Sequence, residues 1–359
     1  MTSHATFSRR IQNVSGADGV RLAYWTVGSG NPPLVYLASG PWTHVELWEV
    51  EECRRWYRQL AAGRTLVGYD LRGTGASQRD VEDFSFEAQL RNLEAVVDGL
   101  GLERFDLFAA ADAGALGVAY AAMHPDRISR LILWCAWTQG ADLARSPRVR
   151  AWRTLLEQDW DLFTDTCAQL ALGWSTGEAA RRSAERLRES ITPEVFRAAF
   201  AAADSTDVSS LLPRVRSRTL VLHRRDITWL PADTADRIAS ELPDAELVFL
   251  DGDSTAPYSG DTTALLSLIE RFLSDAPSTA GRALRSDPHA ALVARSDGLT
   301  GREIEVLRQV GVGRTNQEIA DELVVSLRTV EHHLTNIYSK TGLRRKAEAT
   351  AYALKNGLV

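Results

Sequence analysis

Leu107-Phe108-Ala109-Ala110-Ala111-Asp112-Ala113-Gly114-Ala115-Leu116 decides how most of this 359-residue chain folds. An apolar run ends at a single carboxylate, and small residues follow. The run reads as a buried strand and the small residues as the first turn of a helix, so the backbone must turn sharply between them. Ala110 and Gly114, two positions either side of Asp112, are small enough to let the two arms of a tight corner approach. Asp also tolerates the left-handed conformation such a corner can demand. The expectation is a strand–corner–helix unit with Asp112 at its tip.

Outward from this passage, β-branched or apolar runs alternate with helical stretches over 9–273. Strands are predicted at 21–26, 34–37, 65–69, 105–109, 130–134, 219–223 and 246–250, and helices at 51–61, 86–100, 114–124, 231–241 and 261–274. That alternation specifies an α/β sheet. The strand signal stops over about 138–213, where helical periodicity and aromatics take over, so this stretch reads as a helical cap above the sheet. Residues 275–297 contain Pro277, Ser278, Gly281 and Pro288 without periodicity and read as a linker. The expected domains are 1–274, the linker 275–297, and a small all-α unit at 298–359.

Three landmarks in the larger part carry a resemblance. Gly68-Tyr69-Asp70-Leu71-Arg72-Gly73-Thr74-Gly75-Ala76-Ser77 has the form Asp-x-Arg-Gly-x-Gly-x-Ser, the 107–116 passage follows, and Leu220-Val221-Leu222-His223-Arg224-Arg225-Asp226 is a strand ending in an acid. In this order they resemble the α/β-hydrolase family. In that family the corner presents a serine within Gly-x-Ser-x-Gly, and a histidine and an acid complete the triad. The resemblance implies Asp112 in the serine's place and Asp226 as the acid. It puts Thr255, within Leu250-Asp251-Gly252-Asp253-Ser254-Thr255-Ala256-Pro257-Tyr258, where the histidine belongs. The reading is a degenerate triad with no catalytic residues.

An enzymatic alternative stands beside it. Haloalkane dehalogenases and epoxide hydrolases are similar in fold and use a corner Asp as a carboxylate nucleophile. Asp112 would then attack an alkyl carbon, but a histidine is still needed to activate water. The seven histidines are His4, His44, His124, His223, His289, His332 and His333. Of these only His44 is placed to face a pocket, from the oxyanion side, so the reaction is expected to stall. Asp226 is open to two readings, a salt bridge with Arg224 or Arg225 or a ligand contact. Thr255 either fills the space of an imidazole or offers a hydroxyl to a ligand.

Tryptophans mark the segments that surround the cavity in this family. Trp42 and Trp48 follow one strand, Trp137 another, Trp152, Trp160 and Trp174 lie in the cap, and Trp229 follows Asp226. Aromatics at such positions serve a core equally well. Together they favour an apolar, aromatic small molecule as effector. The expected ligand contacts are Ser39, Gly40, Trp42, His44, Asp112, Ala113, Trp137, Trp160, Trp174, Trp229 and Thr255. Backbone N–H groups near Ser39, Gly40 and Ala113 would form a remnant oxyanion hole.

The final stretch has its own signals. Thr300 with Glu303 and Thr315 with Glu318 have capping-box spacing, and Ser326 can cap a third helix running through Ser339. Within it Val330, Leu334 and Ile337 share one face, leaving Arg328, Glu331, His332, Thr335 and Asn336 on another. A fourth helix at 346–356 carries Ala347, Ala351 and Leu354 on one side. With Leu299-Thr300-Gly301-Arg302-Glu303, Thr315-Asn316-Gln317-Glu318-Ile319-Ala320 and the closing Gly357-Leu358-Val359, this resembles the LuxR/GerE helix-turn-helix family. The resemblance implies base-edge contacts from Glu331, His332 and Thr335, and phosphate contacts from Arg328, Thr329, His333 and Lys340, with Thr315 and Asn316 also at the DNA. It further implies a homodimer paired through the fourth helix on a two-fold-symmetric operator.

Composition bounds the rest. The formal charge is −6, but from Leu299 onward nine Lys/Arg face seven Asp/Glu, so this tail carries +2 and the remainder −8. An acidic body stays off a phosphate backbone that a mildly basic tail approaches. Three scattered cysteines, no signal-peptide pattern and no apolar run of membrane length point to a cytoplasmic protein without membrane contact. No metal or cofactor site is apparent. The expected function is a ligand-responsive transcriptional regulator. The alternatives are the Asp112 hydrolase fused to a DNA-binding domain, and a constitutive regulator with the larger domain as scaffold.

Overall fold

A computed structural model describes residues 9–38, 47–173, 177–274, 301–322, 327–341, 343 and 346–355. The chain divides into two compact units, Met1–Arg285 and Ser286–Val359. The expected linker at 275–297 lies outside the described residues.

The first unit is organised by one eight-stranded sheet of order β1-β2-β4-β3-β5-β6-β7-β8. Strands β1 (Arg10–Ser15) and β2 (Arg21–Gly28) pair antiparallel, and β2 runs antiparallel to β4 (Thr65–Tyr69). From β4 onward β3 (Leu34–Leu37), β5 (Phe105–Ala110), β6 (Ile128–Trp134), β7 (Arg218–Arg224) and β8 (Ala245–Leu250) are parallel. The seven predicted strands are present. The additional β1 is an edge strand whose sequence, Arg-Ile-Gln-Asn-Val-Ser, has too little apolar periodicity to announce itself. β3 and β5 are buried at every position, as parallel strands covered on both faces must be.

Strand alternation sorts the core into two layers. Leu107 and Ala109 pack with Leu93, Val96, Val118 and Ile238 from helices α2 (Phe86–Gly99), α3 (Ala113–Met123) and α9 (Asp233–Glu241). Phe108 and Ala110 face the opposite layer, with Trp56, Tyr57, Leu265 and Ile269 from α1 (Glu51–Leu60) and α10 (Thr262–Ser274). α3 lies very close to the sheet: a Cβ on Gly114 would come 2.5 Å from the Ala136 Cβ, and one on Gly117 2.8 Å from that of Ala109.

Between β6 and β7 the chain forms the cap: α4 (Gly140–Arg145), α5 (Pro147–Gln158), α6 (Trp160–Leu172), α7 (Gly177–Ser190) and α8 (Pro193–Ser205), then a 3-10 turn at Ser209–Arg214. Ser146, Asp159 and Thr192 cap α5, α6 and α8 through their side-chain oxygens. Leu156, Phe163, Cys167, Leu187, Ile191 and Phe196 give the cap its own core.

Among the described residues the second unit has four helices: α11 (Gly301–Gly311), α12 (Asn316–Glu322), α13 (Leu327–Thr341) and α14 (Lys346–Lys355). Val330, Leu334 and Ile337 are buried as the periodicity requires, against Val306, Leu307, Val310, Ile319, Ala349 and Ala353. The Thr315–Glu318 capping box closes: the Thr315 amide donates to Glu318 Oε2 at 2.7 Å, and the Glu318 amide donates to Thr315 Oγ1 at 3.3 Å. Thr300 and Ser326 lie outside the described residues, as do the side chains of Ala347, Ala351 and Leu354.

Candidate ligand cavity and DNA-binding unit

The corner between β5 and α3 carries a correction. Its left-handed residue is Ala111, at φ 51. Asp112 has ordinary helical angles, φ −61 and ψ −31, and directly precedes α3. The strained tip is therefore one residue earlier than the sequence implied, and the small flanking residues two positions away are Ala109 and Ala113. The Ala111 amide donates to the Trp134 carbonyl at 2.9 Å, and its own carbonyl accepts from the Gly114 amide at 3.0 Å. Holding an L-residue there costs on the order of 1 kcal/mol, which these bonds and the packing of α3 offset. The side chain at the tip is a methyl group, which can neither attack an electrophile nor carry a proton.

Above this corner, under the cap, lies a cavity of about 200 Å³. Tyr69, Phe84, Phe86, Trp137, Trp152, Phe196, Phe200 and Trp229 bring aromatic surface to it, and Leu37, Ala111, Leu143, Ala171 and Ile191 add aliphatic surface. Trp137 and Trp229 meet edge to face at 6.2 Å between ring centroids. Trp152 stacks on Phe163 at 5.0 Å, and Phe196 meets Phe200 edge to face at 4.7 Å. Cys167 also lines the cavity. Burial, with a smaller contribution from the Asp112 charge, pushes its thiol up to about 12, so it stays protonated.

Of the predicted ligand contacts, Asp112, Ala113, Trp137, Trp229 and Thr255 line the cavity. Ser39, Gly40, Trp42, His44 and Trp174 lie outside the described residues. Trp160 is corrected: it does not line the cavity but stacks on Phe163 at 5.5 Å and packs into the cap's own core. Its helix turns it inward to the cap, where an apolar ring is best buried. The cavity residues missed by sequence reasoning include Tyr69, Thr138 and Arg153. Tyr69 could have been found, because it ends a strand inside a quoted landmark and ligands bind at the carboxyl ends of parallel strands.

Asp226 is also corrected. It is exposed and does not line the cavity. Its carboxylate accepts from the Gly252 amide at 3.0 Å, pinning the loop after β8. Neither expected arginine pairs with it. Arg224 is buried over the Trp134 ring and donates to the carbonyls of Ser254 and Ser259, while Arg225 lies over Phe249. The loop with Thr255 is bonded to the cap instead: the Ala171 carbonyl at the end of α6 accepts from the amides of Thr255 (2.9 Å) and Ala256 (3.1 Å) and from Ser254 Oγ (2.8 Å). Among the described residues no histidine lines the cavity. His124 ends α3 with Nε2 3.3 Å from Glu94, and His223 is buried in β7 with Nδ1 2.7 Å from the Arg224 carbonyl.

The Asp-x-Arg-Gly-x-Gly-x-Ser landmark is a structural clamp. Arg72, 1% exposed, donates to Asn92 Oδ1, the Asp83 carbonyl and Asp18 Oδ2. Ser77 Oγ donates to the Asp70 carbonyl and accepts from the Ala23 amide.

In the second unit Glu331 and Thr335 are exposed on α13, and Thr329 and His333 are half-buried. Thr335 Oγ1 donates to the Glu331 carbonyl at 2.9 Å. The side chains of Arg328 and His332 lie outside the described residues. Lys340 has an internal use that the sequence reading did not assign: its ammonium donates to the buried Glu303 carboxylate at 2.7 Å, tying α13 to α11. Asn316 Oδ1 accepts from Lys346 Nζ at 3.1 Å. Among the described residues no cluster of metal-ligating side chains is present, and no helix is long and apolar enough to cross a membrane.

A largely parallel sheet with helices on both faces, a left-handed strand-to-helix corner and a helical cap define the α/β-hydrolase class of fold, here joined to a helical DNA-binding unit of the helix-turn-helix class. Residues 32–260 match the alpha/beta hydrolase fold family model and the chain belongs to that family; residues 297–353 match the bacterial regulatory proteins of the luxR family. The chain is 28% identical over 243 residues to 2-hydroxy-6-oxo-2,4-heptadienoate hydrolase from Pseudomonas putida, covering 64% of this chain and 84% of the relative. Over 63 residues it is 43% identical to the transcriptional regulatory protein LiaR of Bacillus subtilis, covering 18% of this chain and 30% of that protein. Its fold is shared with the bromoperoxidase from Bacillus anthracis, at TM-score 0.65 and 17% identity over 75% of this chain and all of that one.

Proposed function

We propose that the protein is a one-component transcriptional regulator whose hydrolase-type unit binds an apolar, aromatic small molecule without converting it. The observation that carries this reading is the methyl group of Ala111 at the corner, beneath a cavity walled by aromatic rings. The absence of a cavity histidine among the described residues supports it. Binding biases the DNA-binding unit to the extent that the ligand prefers one conformation of the chain. The regulator acts in the cytoplasm as a homodimer on a two-fold-symmetric operator.

The test pairs two measurements on the full chain. Ligands found by quenching of tryptophan fluorescence should change affinity for a DNA fragment selected by the chain from a random pool. The same compounds, with haloalkanes, epoxides and aryl esters, should yield no sustained product. Unchanged DNA affinity across all bound ligands would instead favour a constitutive regulator. On the DNA side, Thr335→Ala or His332→Ala relaxes base preference and Arg328→Ala weakens binding across sequences, read by gel shift.

The second reading, an Asp112-nucleophile hydrolase, draws on the position of Asp112 at the cavity wall. Multiple turnovers lost in Asp112→Ala would establish it over the first.

A further inference from the structure

The cavity is not uniformly apolar, and its polar atoms specify a narrower ligand class than its rings do. Tyr69 is 3% exposed and Thr138 0% exposed, both line the cavity, and neither hydroxyl has a hydrogen-bonding partner among the described residues. Buried hydroxyls are almost always paired, so two orphans on one cavity mark places where a ligand supplies the partner. A third orphan is Nε of Arg153, which also lines the cavity.

Strand order fixes how these groups are arranged. Tyr69 ends β4, and Thr138 follows the end of β6, with β3 and β5 between them. Three strand spacings separate the ends of β4 and β6 by roughly 14 Å, and the Trp137 amide, donating to the Ala111 carbonyl at 3.4 Å, draws the chain before Thr138 in toward the corner. The Ala111 corner, at the end of β5, lies between. A ligand engaging both hydroxyls therefore presents polar groups at separated positions, with its middle over the methyl of Ala111.

Charge narrows the class further. The charged side chains among the described lining residues are Asp112, Arg72 and Arg153. Arg72 is committed to Asp18, Asn92 and the Asp83 carbonyl. Arg153 Nη1 lies 2.7 Å from both carboxylate oxygens of Asp204, and its guanidinium stacks on Phe200 at 4.4 Å. Both cations are balanced, so a carboxylate ligand would enter an apolar cavity beside Asp112 without an uncommitted counter-charge. That desolvation is unfavourable.

We propose that the cavity selects an uncharged aromatic compound carrying at least two hydrogen-bonding groups, oriented by Tyr69, Thr138 and Arg153, and rejects carboxylates. This rests on the reading of the cavity as a binding site rather than a reaction centre. It differs from what the name of the Pseudomonas putida relative prints for that enzyme, an acid.

The experiment is a tryptophan-fluorescence titration of the full chain with 4-hydroxyacetophenone, acetophenone and 4-hydroxybenzoate. 4-Hydroxyacetophenone should quench saturably, acetophenone should bind about tenfold more weakly, and 4-hydroxybenzoate at least a hundredfold more weakly. Of Tyr69→Phe and Thr138→Val, one should erase the preference for 4-hydroxyacetophenone over acetophenone. The other, having served the carbonyl, should weaken both ketones alike, by about five- to tenfold. Unfolding transitions of the two variants report whether each remains folded, and Arg153→Lys, which keeps the charge and loses the Nε donor, gives a third measure of the same orientation. Equal or tighter binding of 4-hydroxybenzoate overturns the proposal, as does a hydroxyl preference that survives in both variants, or no saturable quenching by any of the three compounds. Gel shift with the same compounds separates this from the regulator reading. Binding of 4-hydroxyacetophenone without effect on DNA affinity refutes the regulator and leaves the ligand class intact. A carboxylate effector that shifts DNA affinity does the reverse.

Discussion

Arg224→Met tests whether a buried cation holds the loop that follows β8. Arg224 is 3% exposed, donates to the carbonyls of Ser254 and Ser259, and lies 5.2 Å from the Trp134 ring centroid. Each charge-assisted hydrogen bond contributes about 1.5–3 kcal/mol, and a desolvated cation–π contact about 1–2 kcal/mol. Against these stands the several kcal/mol spent in burying a guanidinium, which Met does not incur. Met keeps most of the volume but leaves two carbonyls unpaired, so the net loss should be about 2–4 kcal/mol. For a unit of this size that lowers the midpoint by roughly 5–10 °C. All ten tryptophans fall between Trp25 and Trp229, so thermal unfolding followed by fluorescence reports the first unit alone. Arg225→Met, at an exposed arginine over Phe249, is the control and should shift the midpoint by less than about 2 °C. Equal shifts in the two variants would refute the clamp.

Three further outcomes follow from the same geometry. Ala111→Ser restores a hydroxyl at the corner but no proton acceptor at Thr255, so steady-state hydrolysis of 4-nitrophenyl acetate should stay within about tenfold of the parent chain; turnover a hundredfold higher would contradict this. Burial raises the Asp106 carboxyl to about 6, so its ionisation opposes folding: the penalty is absent below the unfolded value near 3.8, grows as pH rises to about 6, and is constant above. Asp106→Asn should therefore be more stable than the parent by about 2–3 kcal/mol at pH 7.5 and by less at pH 5, measured by urea unfolding; a difference that widens on acidification would refute it. Glu303→Gln replaces a carboxylate paired with Lys340 and should speed amide exchange in α11 and α13 about 5- to 30-fold while leaving the tryptophan transition unmoved. Unchanged exchange would show that the pair does not hold these helices together.

The sequence made the architecture readable but misplaced the site by one residue, for a physical reason. Periodicity exposed the seven strands and the core face of α13, because burying Val330, Leu334 and Ile337 together leaves a regular trace. The corner leaves none. Ala109, Ala110, Ala111 and Ala113 are equally small, so size cannot set the register, and Asp112 attracts attention as the one polar residue. Which residue takes the left-handed angle is decided by tertiary bonds, such as that from the Ala111 amide to Trp134. Asp226 misled in a related way: the acid is present at the strand end, yet a backbone amide in the next loop claims it. Trp160 is one of several cap aromatics, and only the packing of α6 separates it from Trp152, which does reach the cavity.

The carbonyl of Ala171 has a mechanical consequence. Because it gathers donors from three successive residues, 254 to 256, the end of α6 and the approach to α10 are fastened like a tie rod between two beams. A guest molecule that tilts α6 must carry that approach with it or rupture the joint. Residues 254–256 lead on through 257–261 to α10, so such a tilt would act first on the chain immediately before that helix.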